Sequence, residues 1–123
     1  LRLGDIYLMA AESALMLGDK NSAARYIDQL RERARLFPGA LKVDANKINL
    51  DFILDERARE LGGELLRWFD LKRTHKLVER VNAHNPDSKG ITNVFELRPI
   101  PQSELDKVTN RENFKQNPGY PTK

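Results

Sequence analysis

Glu56, Glu60 and Glu64 recur at four-residue intervals and come closest in this sequence to a set of catalytic acids. Two carboxylates can act as general acid and base when they flank a bond from opposite sides. On one helix, however, residues four apart point the same way. Basic residues alternate with these acids, giving the helix-compatible pairs Asp55–Arg59, Glu64–Arg67 and Asp70–Arg73, with Arg57 between them. We therefore predict salt-bridged helix faces here, and a carboxylate-based hydrolase lacks the opposed acids that it needs.

Other catalytic or metal-binding chemistry has little support. The chain has no cysteine, which excludes disulfides, thiolate nucleophiles and cysteine metal sites. Its two histidines, His75 and His84, lie in no HExxH motif and have no nucleophile near them. The glycines at 62–63 lack the lysine and preceding strand of a phosphate-binding loop. We predict no catalytic residue, no metal and no cofactor.

Trp68 admits a structural and a ligand-binding interpretation. An exposed aromatic face can stack on a sugar ring, and a helical bundle can present one. Trp68 nevertheless shares the apolar phase of Leu61 and Leu65, which favours a core position. Phe114 and Tyr120 are further aromatic candidates, but aromatics near a chain end more often anchor the tail. We predict that these residues stabilise the fold.

The net charge of the chain disfavours several classes of protein. The 123 residues include 21 basic and 18 acidic side chains, a net charge of +3. This balance disfavours nucleic-acid binding and a polybasic membrane patch. No apolar run reaches the ~20 residues of a membrane span. The chain opens in mid-helix without an initiator methionine, so we expect a fragment of a longer protein.

The first 36 residues predict a helical hairpin. Residues 1–18 form a helix with an apolar stripe, which Gly18 ends. A second helix at 21–36 is capped by Asn21 or Ser22, and its "RERAR" run forms a solvated surface. The first stripe comprises Leu3, Ile6, Tyr7, Ala10, Ala14 and Leu17, and the second comprises Ala23, Tyr26, Ile27, Leu30 and Ala34. If helix 1 packs on absent helices, we expect Leu3, Ile6 and Leu17 to be exposed.

The remaining sequence predicts more helix and then an extended tail. Residues 37–49 are a loop, and Asn49 caps a helical segment at 50–81. The helical spacing of its apolar residues continues across the glycines at 62–63. Residues 82–93 form a loop, and 94–123 form an extended, proline-rich tail. Within that tail we expect an extended segment at 94–97, a short helical turn from Pro101, and a type II turn at 117–120.

Two resemblances add to this interpretation. The 1–36 hairpin resembles one tetratricopeptide repeat, through Ala11, Ala14, Gly18, Ala23, Ile27 and Leu30. The segments "ILDERARELGGELLRWFDLKR", "RPIPQSEL" and "QNPGY", in this order, resemble the C-terminal region of the SusD/RagB family. The matching residues are Ile53, Glu56, Arg57, Glu60, Leu61, Glu64, Arg67, Trp68, Asp70, Leu71, Arg73, Pro99, Ile100, Pro101, Glu104, Leu105, Gln116, Asn117, Pro118, Gly119 and Tyr120. Gly63 replaces a bulky apolar residue, and Leu65 stands where glycine is common.

The SusD/RagB resemblance implies a fold and a function. It implies a mainly α fold, with a tetratricopeptide-like hairpin, further helices and an extended tail. It also implies a non-enzymatic, lipid-anchored protein on the outer membrane of Bacteroidetes-type bacteria. Such a protein binds oligosaccharides or other nutrients with a SusC-like TonB-dependent transporter. We assign no ligand residue, because the family's ligand-contacting aromatics lie outside the matching segments. The alternative is a tetratricopeptide-type protein-interaction module.

Overall fold

The structure, a computed structural model, describes residues 2–88, 90–110 and 112–121. These residues form α-helices and short 3-10 helices without a strand, which confirms the mainly α prediction. The α-helices are α1 (Leu3–Met16), α2 (Lys20–Glu32), α3 (Leu50–Glu60), α4 (Arg67–Arg73), α5 (Leu77–His84) and α6 (Gln102–Lys107). The chain divides into two compact units, Leu1–Asp70 and Leu71–Lys123. Over the described residues, no helix has the length and apolarity to cross a lipid bilayer.

The first unit is built on the hairpin of α1 and α2. Gly18 has φ +81° and ends α1, as predicted. The amide of Gly18 donates to the Leu15 carbonyl at 2.9 Å, and that of Asp19 donates to the Ala14 carbonyl at 2.9 Å. These are the two hydrogen bonds of a Schellman motif. The chain therefore reverses within three residues and begins α2 at Lys20.

The start and end of α2 differ from the prediction. Asp19, rather than Asn21 or Ser22, is the N-cap, and its carboxylate accepts a hydrogen bond from the Ser22 amide at 2.9 Å. The hydrogen bonds from Ser22 lower the pKa of Asp19. The helix ends at Glu32, so Ala34 lies beyond it and is exposed. A short carboxylate one residue before the helix has the usual geometry of a cap.

The apolar stripe predicted for α1 is not the side of the helix that faces the core. Leu3, Ile6 and Leu17 are exposed, as expected if this face packs on another helix, whereas Leu8 is fully buried. The buried side of α1 carries Gly4, Asp5, Leu8, Ala11 and Ala14. Small residues on this side let α2 approach closely, and Ala11 packs in one cluster with Ala23 and Ile27. Close packing of small side chains therefore determines which side of α1 faces the core.

The loop and α3 complete the core of the first unit. Residues 37–49 contain a short 3-10 helix, Ala45–Lys47, and are otherwise irregular. Asn49 caps α3 as predicted, because its side-chain oxygen accepts from the Phe52 amide at 2.8 Å. Val43, Ile48 and Ile53 are buried in the same cluster as the α1–α2 contact. The loop thus supplies apolar residues to the core.

The prediction that one helix continues through the glycines at 62–63 is wrong. The helix α3 ends at Glu60, and α4 begins at Arg67. Gly63 has φ +83° and Leu65 has φ +59°, values that a right-handed helix cannot contain. Leu65 is consequently 86% exposed rather than part of an apolar stripe. Leu61 remains buried, since it precedes the turn.

The second unit contains α5, α6 and an irregular tail. The segment expected to be extended at 94–97 is instead largely a 3-10 helix, Asn93–Glu96. Residues 98–101 lie outside helices, as Pro99 and Pro101 predict, and Pro101 is the N-cap of α6. The helix α5 buries Leu77 and Arg80. The tail is therefore partly helical and only locally extended.

Candidate functional site

Glu56 is the centre of an ion-pair cluster that joins α2 to α3. Its side chain is 6% exposed and accepts hydrogen bonds from two guanidinium groups. Arg31, on α2, donates through Nε and Nη2 at 2.7 and 2.6 Å, and Arg59 donates through Nη2 at 2.6 Å. Burial alone raises the pKa of Glu56, but the hydrogen bonds and charges of Arg31 and Arg59 outweigh it. The pKa of Glu56 therefore lies below its usual range.

Arg57 forms a second cluster that joins α3 to α1 and α4. Its Nε donates to Asp70 at 2.7 Å, and its Nη2 donates to Asp5 at 2.9 Å. All three side chains are buried. The Nη1 atom of Arg57 is buried without a hydrogen-bond partner. One buried guanidinium thus binds two carboxylates, and its bond to Asp5 connects residues 52 positions apart.

Glu60 forms a third cluster near the start of α1. It accepts from Nη1 of Arg2 and from Nη2 of Arg33, each at 2.5 Å. Arg2 also donates to Glu64 at 2.7 Å, and its hydrogen bonds to Glu64 and Glu60 raise the pKa of Arg2. A Cβ atom on Gly4 would lie 2.7 Å from Oε1 of Glu60. Because Gly4 has no side chain, the carboxylate of Glu60 can occupy this space.

The remaining residues of the 64–70 segment differ in exposure. Arg67 donates from Nη1 to the Leu54 carbonyl at 2.6 Å. Trp68 is half-buried at the start of α4, and Phe69 is 66% exposed. Trp68 is therefore only partly in the core position predicted for it. Glu64 follows the end of α3, so the three glutamates do not share one helix face.

The arrangement has no sign of an acid–base pair. Glu56 accepts from two guanidinium groups, which stabilise its ionised form rather than a proton donor. Glu60 is also paired with two guanidinium groups. In the described residues no group of three or more acidic, histidine or cysteine side chains could hold a metal ion. The chemistry available here is electrostatic cross-linking of helices.

In the second unit, Tyr120 binds the backbone of the Asn93–Glu96 region. Its hydroxyl lies 2.8 Å from the Leu97 carbonyl and 3.2 Å from the Val94 carbonyl. Asn117 donates from Nδ2 to the Arg98 carbonyl at 2.7 Å. Tyr120 and Asn117 thus hold the tail against residues about twenty positions earlier. We call this set of tail contacts, made by residues 116–120, the tail clasp.

Gln116 and Gly119 complete the tail clasp. The Gln116 side chain accepts from the Ile100 amide at 2.8 Å and donates to the Ile100 carbonyl at 2.9 Å. The predicted turn at 117–120 is present, since the Tyr120 amide donates to the Asn117 carbonyl and Gly119 has φ +87°. A Cβ atom on Gly119 would lie 2.5 Å from Cγ2 of Val94. Glycine is therefore needed for both the backbone angle and the contact.

Several partners in these clusters were not predicted from the sequence. Arg2, Asp5 and Arg31 pair with residues of α3, and Arg31 belongs to the "RERAR" run expected to be solvated. Arg35, in the same run, is 9% exposed and pairs with Asp28. A regular alternation of acids and bases on α3 was a signal that α3 has charged partners, but it did not indicate which ones.

The central residues of the three charged clusters, Glu56, Arg57 and Glu60, lie in the first of the three segments that carried the family resemblance. The tail clasp joins the other two segments, through Gln116 to Ile100 and Asn117 to Arg98. A profile of the SusD family matches residues 1–120, which is nearly the whole chain. The chain belongs to the SusD family. The match includes the clusters around Glu56, Arg57 and Glu60 as well as the tail clasp.

Three SusD-like proteins of Formosa agariphila (strain DSM 15362) are similar in sequence. SusD-like protein P2 is 34% identical over 134 aligned positions, which cover 98% of this chain and 25% of that protein. SusD-like protein P38 is 36% identical over 63% of this chain and 17% of its own length. SusD-like protein P25 is 40% identical over 65% of this chain and 16% of its own length. The chain spans about a quarter of the length of P2. No solved structure gave a significant match.

Proposed function

We propose that this SusD-family chain is the C-terminal scaffold of a nutrient-binding component of an outer-membrane import system. The ligand is an oligosaccharide or another nutrient, and the working partner is a SusC-like TonB-dependent transporter. In this proposal the protein is lipid-anchored at the cell surface and is a binding protein rather than an enzyme. The observation that carries the proposal is the family match over residues 1–120.

The charged clusters support a scaffolding role for the segment around α3 and α4. Glu56, Arg57 and Asp70 are buried and satisfy one another or a neighbouring helix. A side chain that is buried and hydrogen-bonded within the protein has little surface to offer a ligand. We therefore assign the buried Glu56, Arg57 and Asp70 to the framework that holds the helices. With them we place the other residues of the same motif, Glu60, Glu64, Arg67 and Trp68. We assign to the tail Pro99, Pro101, Asn117, Pro118, Gly119 and Tyr120.

An open cavity that a nutrient could enter lies between α1 and α2. It has a volume of about 440 Å³ and is lined in part by Tyr7, Gln29 and Arg33. An aromatic ring with amide and guanidinium donors can bind a sugar. A second cavity, of about 280 Å³, lies beside the turn between α3 and α4 and is lined in part by Leu61 and Leu65. Ligand binding in the first cavity would contradict a purely scaffolding role.

The test is binding of a polysaccharide panel by this chain and by SusD-like protein P2 in parallel, using affinity electrophoresis and then calorimetry. We expect P2 to bind at least one polysaccharide and the 123-residue chain to bind none. Binding by the chain that is lost in Tyr7→Ala would place a ligand site in the cavity and overturn the scaffold assignment. Failure of both proteins to bind any glycan would overturn the glycan as the nutrient.

The transporter is tested separately. A SusC-like TonB-dependent transporter, purified in detergent, would be mixed with immobilised P2 and with the immobilised chain. Retention by P2 supports the import system as a whole. Retention by neither protein would contradict the transporter part of the proposal, and it would leave the tetratricopeptide-type interaction module as the better explanation of the α1–α2 hairpin.

A further inference from the structure

We draw no further inference here: the strongest candidate, the exposed apolar side of α1 that carries Leu3, Ile6, Met9 and Met16, supports none, because nothing in the structure shows what covers it.

Discussion

The guanidinium of Arg57 donates to the carboxylate of Asp70 at 2.7 Å, and both side chains are buried. The pair joins α3 to α4 across the turn that contains Gly63 and Leu65. Because Arg57 also binds Asp5, a single arginine connects three helices. Removing Asp70 would leave the buried Nε–H donor of Arg57 without the carboxylate that it binds.

Asp70→Ala should lower the free energy of unfolding by about 3–5 kcal/mol, the cost of breaking a buried ion pair from one side. The measurement is urea unfolding followed by circular dichroism. Asp87→Ala is the control, since Asp87 is exposed on a turn in the second unit. A loss near zero in Asp70→Ala would mean that Asp5 alone is sufficient to balance Arg57. In a longer SusD-like protein, the equivalent change should lower the melting temperature and leave glycan affinity intact; unchanged melting with lost binding would reverse this assignment.

Acid should destabilise the chain in part through Glu56. Its pKa is lowered in the folded protein, so its ionised form adds stability above the unfolded-state pKa of about 4.3. That contribution is lost as the pH falls through the lower, folded-state pKa. We expect the unfolding free energy to fall between about pH 5 and pH 2, and to fall less steeply in Glu56→Gln. Equal slopes in the two proteins would exclude Glu56 as a source of the acid sensitivity.

Gly119→Ala should destabilise the tail more than Gly39→Ala does. Both glycines have positive φ, +87° and +81°, so each alanine incurs a similar backbone cost of about 1–2 kcal/mol. Only at Gly119 would the new Cβ also collide with Val94, whereas the space around Gly39 is open. We expect faster proteolysis of the tail in Gly119→Ala, detected by limited trypsin digestion and mass spectrometry. Identical digestion of the two variants would contradict the close contact with Val94.

Leu65→Gly should stabilise the chain by about 1 kcal/mol, because Leu65 is held at φ +59°, which costs a non-glycine residue about that much. It is also 86% exposed, so little packing is lost. Leu36→Gly, at a position that is 94% exposed and without positive φ, should be neutral or destabilising. Thermal unfolding of both variants provides the comparison. A lower melting temperature in Leu65→Gly would show that the leucine side chain has a contact that outweighs the strain.

The sequence predicted the elements that depend on neighbouring residues. Gly18 ends α1, Asn49 caps α3, and the turn at 117–120 forms as expected, because each depends on groups within a few residues. The same local reasoning failed at the glycines of residues 62–63. The apolar spacing there continues in phase, although the backbone leaves the helix. The spacing of apolar residues indicates which positions face a core, but it does not predict the backbone angle φ.

The ion-pair framework could be predicted only in outline. The alternating charges on α3 indicated paired helix faces, but Asp5 and Arg57 are 52 positions apart and are brought together only by the fold. The side of α1 that faces the core was predicted wrongly, because this helix has apolar residues on several sides. Packing of Ala11 against Ala23 determined it. Long-range contacts of this kind require coordinates.

The side chain of Gln116 has one more consequence for the second unit. Its amide pairs with both the N–H and the carbonyl of Ile100, in the way that the backbone of a neighbouring strand would. An extended residue next to prolines would otherwise present a free donor and acceptor to another chain. With both groups occupied by a glutamine, Ile100 cannot serve as a template for edge-to-edge aggregation.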